Sequence, residues 1–347
     1  MRKALSLVTA TIALILVAFA MGCGGASGQN ATAPQTQSSQ QPAASASGQD
    51  GAAKKEPFTL KVMTPASFDV YYIATQKGFA QKENLSFEYT GVLNIPDWIP
   101  SVVSGANDVG GQHMNANISA IVGGAPLKMV AASTEARKDA PHATYWVLKD
   151  SPIKTAADLR NKKVAVGGFG TCADYFVKEY MRQNNEDPKT LELLFLPDSQ
   201  QQQMLDNRKI DVAGVHTGQD VRFRASSDYR PLFSDYDLVP QGNLGTAATF
   251  FRTDFIAKRP DVVRRYLGVI GNTYDWINAN RDEAIQIMAK KLNVEPAFLQ
   301  IMYFPEHALI KEEAVKSWLP ILEREEKIAN VDLSKVYTNE FNPFFKK

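Results

Sequence analysis

The chain has 347 residues, with 38 Lys and Arg against 37 Asp and Glu and a hydrophobic share of 44%. That balance leaves no field suited to nucleic acid or to a sustained hold on an anionic surface, and the apolar share is that of an ordinary soluble globular protein. Two cysteines, Cys23 and Cys172, and four histidines, His113, His142, His216 and His307, stand far apart, without C-x-x-C or H-E-x-x-H spacing. The sequence therefore assigns no metal ligands and no cofactor.

Residues 1–22 have the form of a signal peptide: Arg2 and Lys3, the apolar stretch ALSLVTATIALILVAFAM, then a small-residue cleavage site ending at Cys23. The AMGC tetrapeptide resembles a bacterial lipoprotein signal, with Ala20 where that family usually carries Leu. The resemblance implies that Cys23 is lipidated and becomes the first mature residue. An ordinary secretory signal or an uncleaved anchor is the competing reading. Residues 23–57 contain no aromatic side chain and are dominated by Gly, Ala, Ser, Gln, Thr and Pro. Nothing there offsets the entropy of ordering, so the segment is expected to be a disordered tether. With lipid on Cys23, Cys172 is left without an intramolecular disulfide partner.

The body of about 290 residues is long enough for about two domains. FTLKVMTP alternates as a strand, VYYIATQKGFAQKEN is predicted as one helix ending near Asn84, and LSFEYTGV is a second strand. IPDWIPSVVSG is helical up to Gly105. NDVGGQHM carries a short strand, NANISAIVGG a short helix, and PLKMVAAST a buried-type strand. Strands alternating with helices predict a largely parallel sheet with helices on its faces. ATYWVLKD is another strand. The pattern then restarts, with a short helix in SPIKTAADLR, a strand in NKKVAV and the glycine turn GGFGT. From Ala173 onward, Phe176, Val177, Tyr180 and Met181 mark one helix face. LELLFLP, DSQQQQMLDNRK and IDVAGVHT follow as strand, helix and strand. GTAATFFRTDFI then leads as a strand into a helical tail, RPDVVRRYLGVIGNTYDWINAN, RDEAIQIMAKKLN and KEEAVKSWLPILEREEKI, in which EREEK is an exposed helical face.

At SPIKTAADLRNKKVAV the chain resembles the start of the second lobe in solute-binding proteins of bacterial ABC importers, in the nitrate/sulfonate/taurine branch that also holds thiamine-pyrimidine binders. IATQKGFAQKENLSFE, SGANDVGG, GAPLKMVAA and RPDVVRRYLGVI match the family in order, so the resemblance covers about residues 58 to 325. It implies an α/β, two-lobe periplasmic-binding-protein fold of type II, each lobe a mixed sheet flanked by helices, joined by two crossover strands. The expected bounds are 58–152 and 245–347 for lobe one and 153–244 for lobe two. It also implies a monomer that closes on a small molecule and presents it to a permease and ATPase complex.

In open α/β sheets ligands gather beyond the C-terminal strand ends, where unpaired N–H groups at helix starts favour anions and polar oxygens. Four loops qualify: PASFD, GGQHMN, GGFGTC and VHTGQ. They nominate Ser67, Phe68, Gln112, His113, Gly170, Thr171, His216 and Thr217 for the ligand. Ser67 and Thr171 are equally placed to cap their helices. GGFGTC lacks the Walker lysine and the Rossmann spacing, so a nucleotide is not expected, and its glycines also serve a turn needed only for packing. Phe68, Trp98 and Phe169 are candidate cleft walls, and Cys172 reads as a small buried residue at a helix start. No catalytic triad order is visible. The function expected is an extracytoplasmic, lipid-anchored receptor for a small organic anion, sulfonate-, taurine- or nitrate-like. A thiamine-pyrimidine or metal-chelate ligand, and a sensor subunit feeding a signalling partner, are the alternatives.

Overall fold

The computed structural model describes residues 55–65, 68–299 and 301–346. The expected signal peptide, Cys23, Ser67 and all of the tether but its last three residues lie outside the described residues; Lys55 pairs with Glu83, and the Glu56 carbonyl accepts from Arg265. Strands follow in the order β1 (Phe58–Val62), β2 (Leu85–Tyr89), β3 (Val109–His113), β4 (Leu127–Ala132), β5 (Ala143–Leu148), β6 (Lys163–Val166), β7 (Glu192–Phe195), β8 (Val212–His216), β9 (Tyr229–Ser234) and β10 (Ala247–Arg252). They form two five-stranded sheets, β2-β1-β3-β10-β4 and β7-β6-β8-β5-β9. Each sheet is mixed and flanked by helices, the two-lobe α/β architecture expected.

In each sheet one strand runs against the rest, β10 in the first and β5 in the second. The reason is topological. The chain leaves the first sheet at the C-terminal end of β4, so it enters β5 from the same side, with Ala143 opposite His216. It returns from the end of β9 into β10, with Ala247 opposite His113. Both crossings therefore lie at the C-terminal ends of the parallel strands, where the loops of the two sheets face each other.

The helices are α1 (Val70–Gln76), α2 (Phe79–Lys82), α3 (Trp98–Val103), α4 (Met114–Val122), α5 (Cys172–Gln183), α6 (Asp198–Asp206), α7 (Val221–Ala225), α8 (Thr253–Lys258), α9 (Pro260–Ala279), α10 (Arg281–Leu292), α11 (Glu312–Glu326) and α12 (Leu333–Val336). The single helix predicted to end near Asn84 is two, because Gly78 adopts a left-handed φ of 75° between them. SPIKTAADLR holds only a 3-10 turn at Ala157–Leu159. The sequence reading missed β9. Its Pro231 argues against a strand, yet β9 sits at the sheet edge and Pro231 faces Trp146 at a register shift, where a ladder N–H is dispensable.

Successive strand residues feed opposite cores. On β10, Phe250 joins a core shared by both sheets, while Phe251 faces α9 residues such as Val263 and Tyr266. On β5, Tyr145 enters the shared core and Trp146 packs with Phe223 beneath α7. The shared core includes Met114 and Ile118 of α4, Phe176 of α5 and the fully buried Trp318 of α11. Helix α11 thus bridges the two lobes. The EREEK run is not simply a solvated face: Tyr175 donates to Glu326 at 2.6 Å, and Arg182 and Arg324 pair with Glu325 and Glu179. No helix among the described residues is long and apolar enough to cross a membrane.

Candidate functional site

Four side chains meet where the sheets face each other. His113 ends β3 and stands at the N-cap of α4; Cys172 opens α5; His216 ends β8; and His142 lies in the crossing just ahead of β5. His113 Nε2 is 2.5 Å from His142 Nε2. Cys172 Sγ is 3.3 Å from His216 Nε2 and 3.8 Å from His142 Nε2. Asp198, at the start of α6, receives both the backbone N–H of His216 at 2.8 Å and its ring Nδ1–H at 2.6 Å. That bond fixes the tautomer and aims Nε2 at the sulfur.

The cluster is largely withdrawn from water: Cys172 is 4% exposed and His113 9%. Burial, with His113 next in effect, pushes His142 down to about 3, so its ring is neutral. Burial also opposes charge on His216, but the Asp198 carboxylate and Cys172 outweigh it and hold that imidazole well above its usual range. At Cys172 burial favours the thiol. The His113 and His216 rings reverse this and bring it well below its ordinary value. The environment thus favours the charged forms of Cys172 and His216 beside the neutral ring of His142. The rings are held by packing, His113 lying 6.4 Å from both Phe176 and Trp318.

The remaining nominated residues are occupied differently. Gln112 accepts the His113 N–H through its own Oε1 at 2.9 Å. Thr171 stands at the α5 N-cap, but its hydroxyl donates to the Gly168 carbonyl at 2.6 Å rather than to the helix. Gly170, at φ 71°, donates its N–H to Asp174 at 2.8 Å and accepts from Asn115 of α4 at 3.3 Å, a direct bond between the lobes. Thr217 donates its hydroxyl to Pro141 and its N–H to the His142 carbonyl, which fastens the crossing segment to lobe two. Phe68 packs against Phe304 in the lobe-one core at 6.2 Å. Trp98 is half-buried and donates to Leu93 O, and Phe169 is 64% exposed beside Phe195.

The glycine turn has a packing cause. A Cβ on Gly167 would lie 3.0 Å from Asp198 Oδ1, and one on Gly168 would lie 2.8 Å from Thr171 Cγ2. The turn is bare so that the loop can pass beside the Asp198–His216 pair. Sequence reasoning found His113 and His216 at facing strand ends and missed His142, Cys172 and Asp198 as their neighbours. The only signal for the missed three was position: each stands at the edge of a strand or helix.

A family model described as "NMT1/THI5 like" matches residues 66–284, more than half of the chain. A protein of Brucella abortus (strain 2308), named as a candidate binding protein without a stated ligand, is 24% identical over 254 residues, covering 70% of this chain and 74% of its own. Among solved structures, the periplasmic aliphatic sulphonate binding protein SsuA from Escherichia coli superposes with a TM-score of 0.66 at 17% identity, covering 81% of this chain and 92% of that one. The ligand binding component of an ABC-type import system from Staphylococcus aureus, solved with zinc bound, gives a TM-score of 0.65 at 12% identity over 82% of this chain and 98% of that one. These likenesses carry the periplasmic-binding-protein fold. On a fold of two mixed sheets meeting at their C-terminal strand ends, the family match places the chain in the NMT1/THI5-like family.

Proposed function

We propose that this protein is an extracytoplasmic receptor that captures a small solute between its lobes and delivers it to an ABC importer, held to the membrane by lipid on Cys23. One observation carries the reading. Groups from lobe one, lobe two and the crossing between them converge on one point at the strand C-termini, through His113, His216, Cys172 and His142. A guest there contacts both halves at once, so its binding energy goes into closing them, the switching mode of hinged binding proteins. No bond-making step is needed. A sulfonate-, taurine- or nitrate-like organic anion is supported by the likeness to a sulphonate binding protein.

Thermal unfolding of the full chain tests this, since a guest that binds only the folded protein raises the midpoint by an amount that grows with its concentration. The panel comprises aliphatic sulfonates, taurine, nitrate, carboxylates, pyrimidines and divalent metal ions. At least one class is expected to raise the midpoint and to make the molecule more compact in solution scattering. A deletion strain is expected to lose uptake of the same class. A strain that imports every member normally overturns the receptor reading.

A further inference from the structure

We propose that the cluster at the lobe interface is a transition-metal site, with His113, His142 and His216 binding through Nε2 and Cys172 through its thiolate. This deepens the receptor reading and rests on it: the guest, or the part of it that the protein grips, is a borderline-to-soft metal ion.

The geometry is close to what such an ion needs. Tetrahedral zinc, with bonds of about 2.0–2.1 Å to nitrogen and about 2.3 Å to sulfur, separates neighbouring nitrogens by about 3.3 Å and nitrogen from sulfur by about 3.6 Å. The two Sγ···Nε2 separations, 3.3 and 3.8 Å, straddle the second value. The donor atoms of His113, His142 and Cys172 all lie within 4.8 Å of one another. His216 Nε2 stands outside that group, 3.3 Å from the sulfur, and joins as the fourth ligand by giving up its proton and moving inward. The His113–His142 pair, at 2.5 Å, is about 0.8 Å short of the first value (3.3 minus 2.5), so an entering ion has only to ease those two rings apart. The ring nitrogens of this pair that point away from the centre, both Nδ1 atoms, are buried and without a hydrogen-bond partner. The polar contacts of both rings therefore run through Nε2, to each other and to the Cys172 sulfur, and they occupy the place an ion would take.

The chemistry of the centre favours a cation over an oxyanion. The donors that would greet an oxyanion are already engaged: Gly170 N–H with Asp174, the Thr171 hydroxyl with Gly168, His216 N–H with Asp198, and the Thr217 hydroxyl with Pro141. What remains aimed inward is imidazole and sulfur. Thiolate with imidazole suits zinc, copper, cobalt and nickel, and excludes calcium and magnesium, which demand oxygen. Asp198 on the Nδ1 side of His216 is the outer carboxylate that metal-binding histidines use for orientation. His307 shows the contrast: it has its own carboxylate, Asp275, at 2.5 Å, but no second histidine or cysteine beside it among the described residues. The site is also divided between the lobes, His113 on one and Cys172 and His216 on the other, so an ion bound there ties the lobes shut.

The test uses the full chain in detergent, reduced, stripped with chelator and titrated with Co(II) alone, then with Zn(II) in competition. One Co(II) per chain is expected, with tetrahedral visible bands and a thiolate-to-metal charge-transfer band in the near ultraviolet. Cys172→Ser abolishes that band, Asp198→Asn weakens binding about 10- to 100-fold, and His113→Ala retains weaker binding but loses the compaction seen by scattering. Circular dichroism checks that each variant is folded, and should any variant fail that check, the wild-type Co(II) spectrum alone decides. A Co(II) spectrum without thiolate charge transfer overturns the proposal, as does Zn(II) affinity equal in wild type, Cys172→Ser and His113→Ala. If an organic anion closes the lobes while Co(II) and Zn(II) do not bind, the metal site falls and the receptor stands. If the metals bind as described while the deletion strain imports every solute normally, the receptor falls and the metal site stands.

Discussion

Tyr145 is fully buried; its hydroxyl donates to the Ala173 carbonyl at the start of α5, and its ring stacks on Phe233 at 4.2 Å, which stacks in turn on Tyr180 at 3.8 Å. Burial raises its hydroxyl well above the ordinary tyrosine range, so it remains a neutral donor. Tyr145→Phe removes this hydrogen bond to a helix carbonyl and is expected to cost about 1 kcal/mol, read as a lower urea midpoint at unchanged slope. Gly214 touches the same ring: an added Cβ would lie 2.8 Å from Tyr145 Cε1 and 3.0 Å from the Ala165 carbonyl, so Gly214→Ala should destabilise by a similar amount through overpacking. Asp235 gives the pH dependence. Its fully buried carboxyl accepts the Ala143 N–H at 2.8 Å, and burial lifts it to about 7. The folded state therefore keeps a proton that the unfolded chain releases near pH 4, and stability falls as pH rises from about 4 towards about 7. Asp235→Asn keeps an acceptor oxygen and should remove that part of the slope, measured as the urea midpoint at pH 5 and pH 8 in the presence of chelator.

At the scale of elements, α11 is where pattern and structure part company. Its helix was legible, and Ala314, Val315, Trp318, Ile321 and Leu322 are its buried side. What that side covers was not. Trp318 lies between α4 and α5, 5.8 Å from Phe176, so one helix of the tail packs on both lobes. Trp318→Ala is expected to cost about 3–5 kcal/mol and to speed hydrogen exchange in α5, which loses its cover. A uniform rise in exchange across the protein, with α5 no different from α9, would contradict that bridging role. Strand β9 went unseen for the opposite reason: a proline masks an edge strand whose pairing comes wholly from β5. The split between α1 and α2 was written in KGF, where Gly78 permits the turn, but a glycine inside a helical pattern does not by itself say whether the helix breaks there.

For the molecule as a whole, the proposed receptor role makes closure of the lobes the variable to measure, and Asn115 is one handle on it. Its side chain, 1% exposed, donates across the interface to Gly170 O at 3.3 Å. Asn115→Ala removes a hydrogen bond of about 1 kcal/mol from the closed form, which should weaken guest binding about fivefold and enlarge the radius of gyration in the absence of guest. An unchanged radius would mean that this contact does not govern closure. Much of this architecture was legible from residue order: every strand but β9, most helices, the restart of the pattern near residue 153, and His113 and His216 at strand ends. Hydrophobic period, glycine and proline act over a few residues, so a linear reading captures them. The gathering of His113, His142, Cys172, Asp198 and His216 was not legible, since these residues are scattered over about a hundred positions and no local rule relates them. They meet because both crossings enter at the C-terminal ends of parallel strands and because a shared core pulls the sheets together. That is a property of packing in three dimensions, and it set a cysteine that looked like filler among the three histidines of the candidate site.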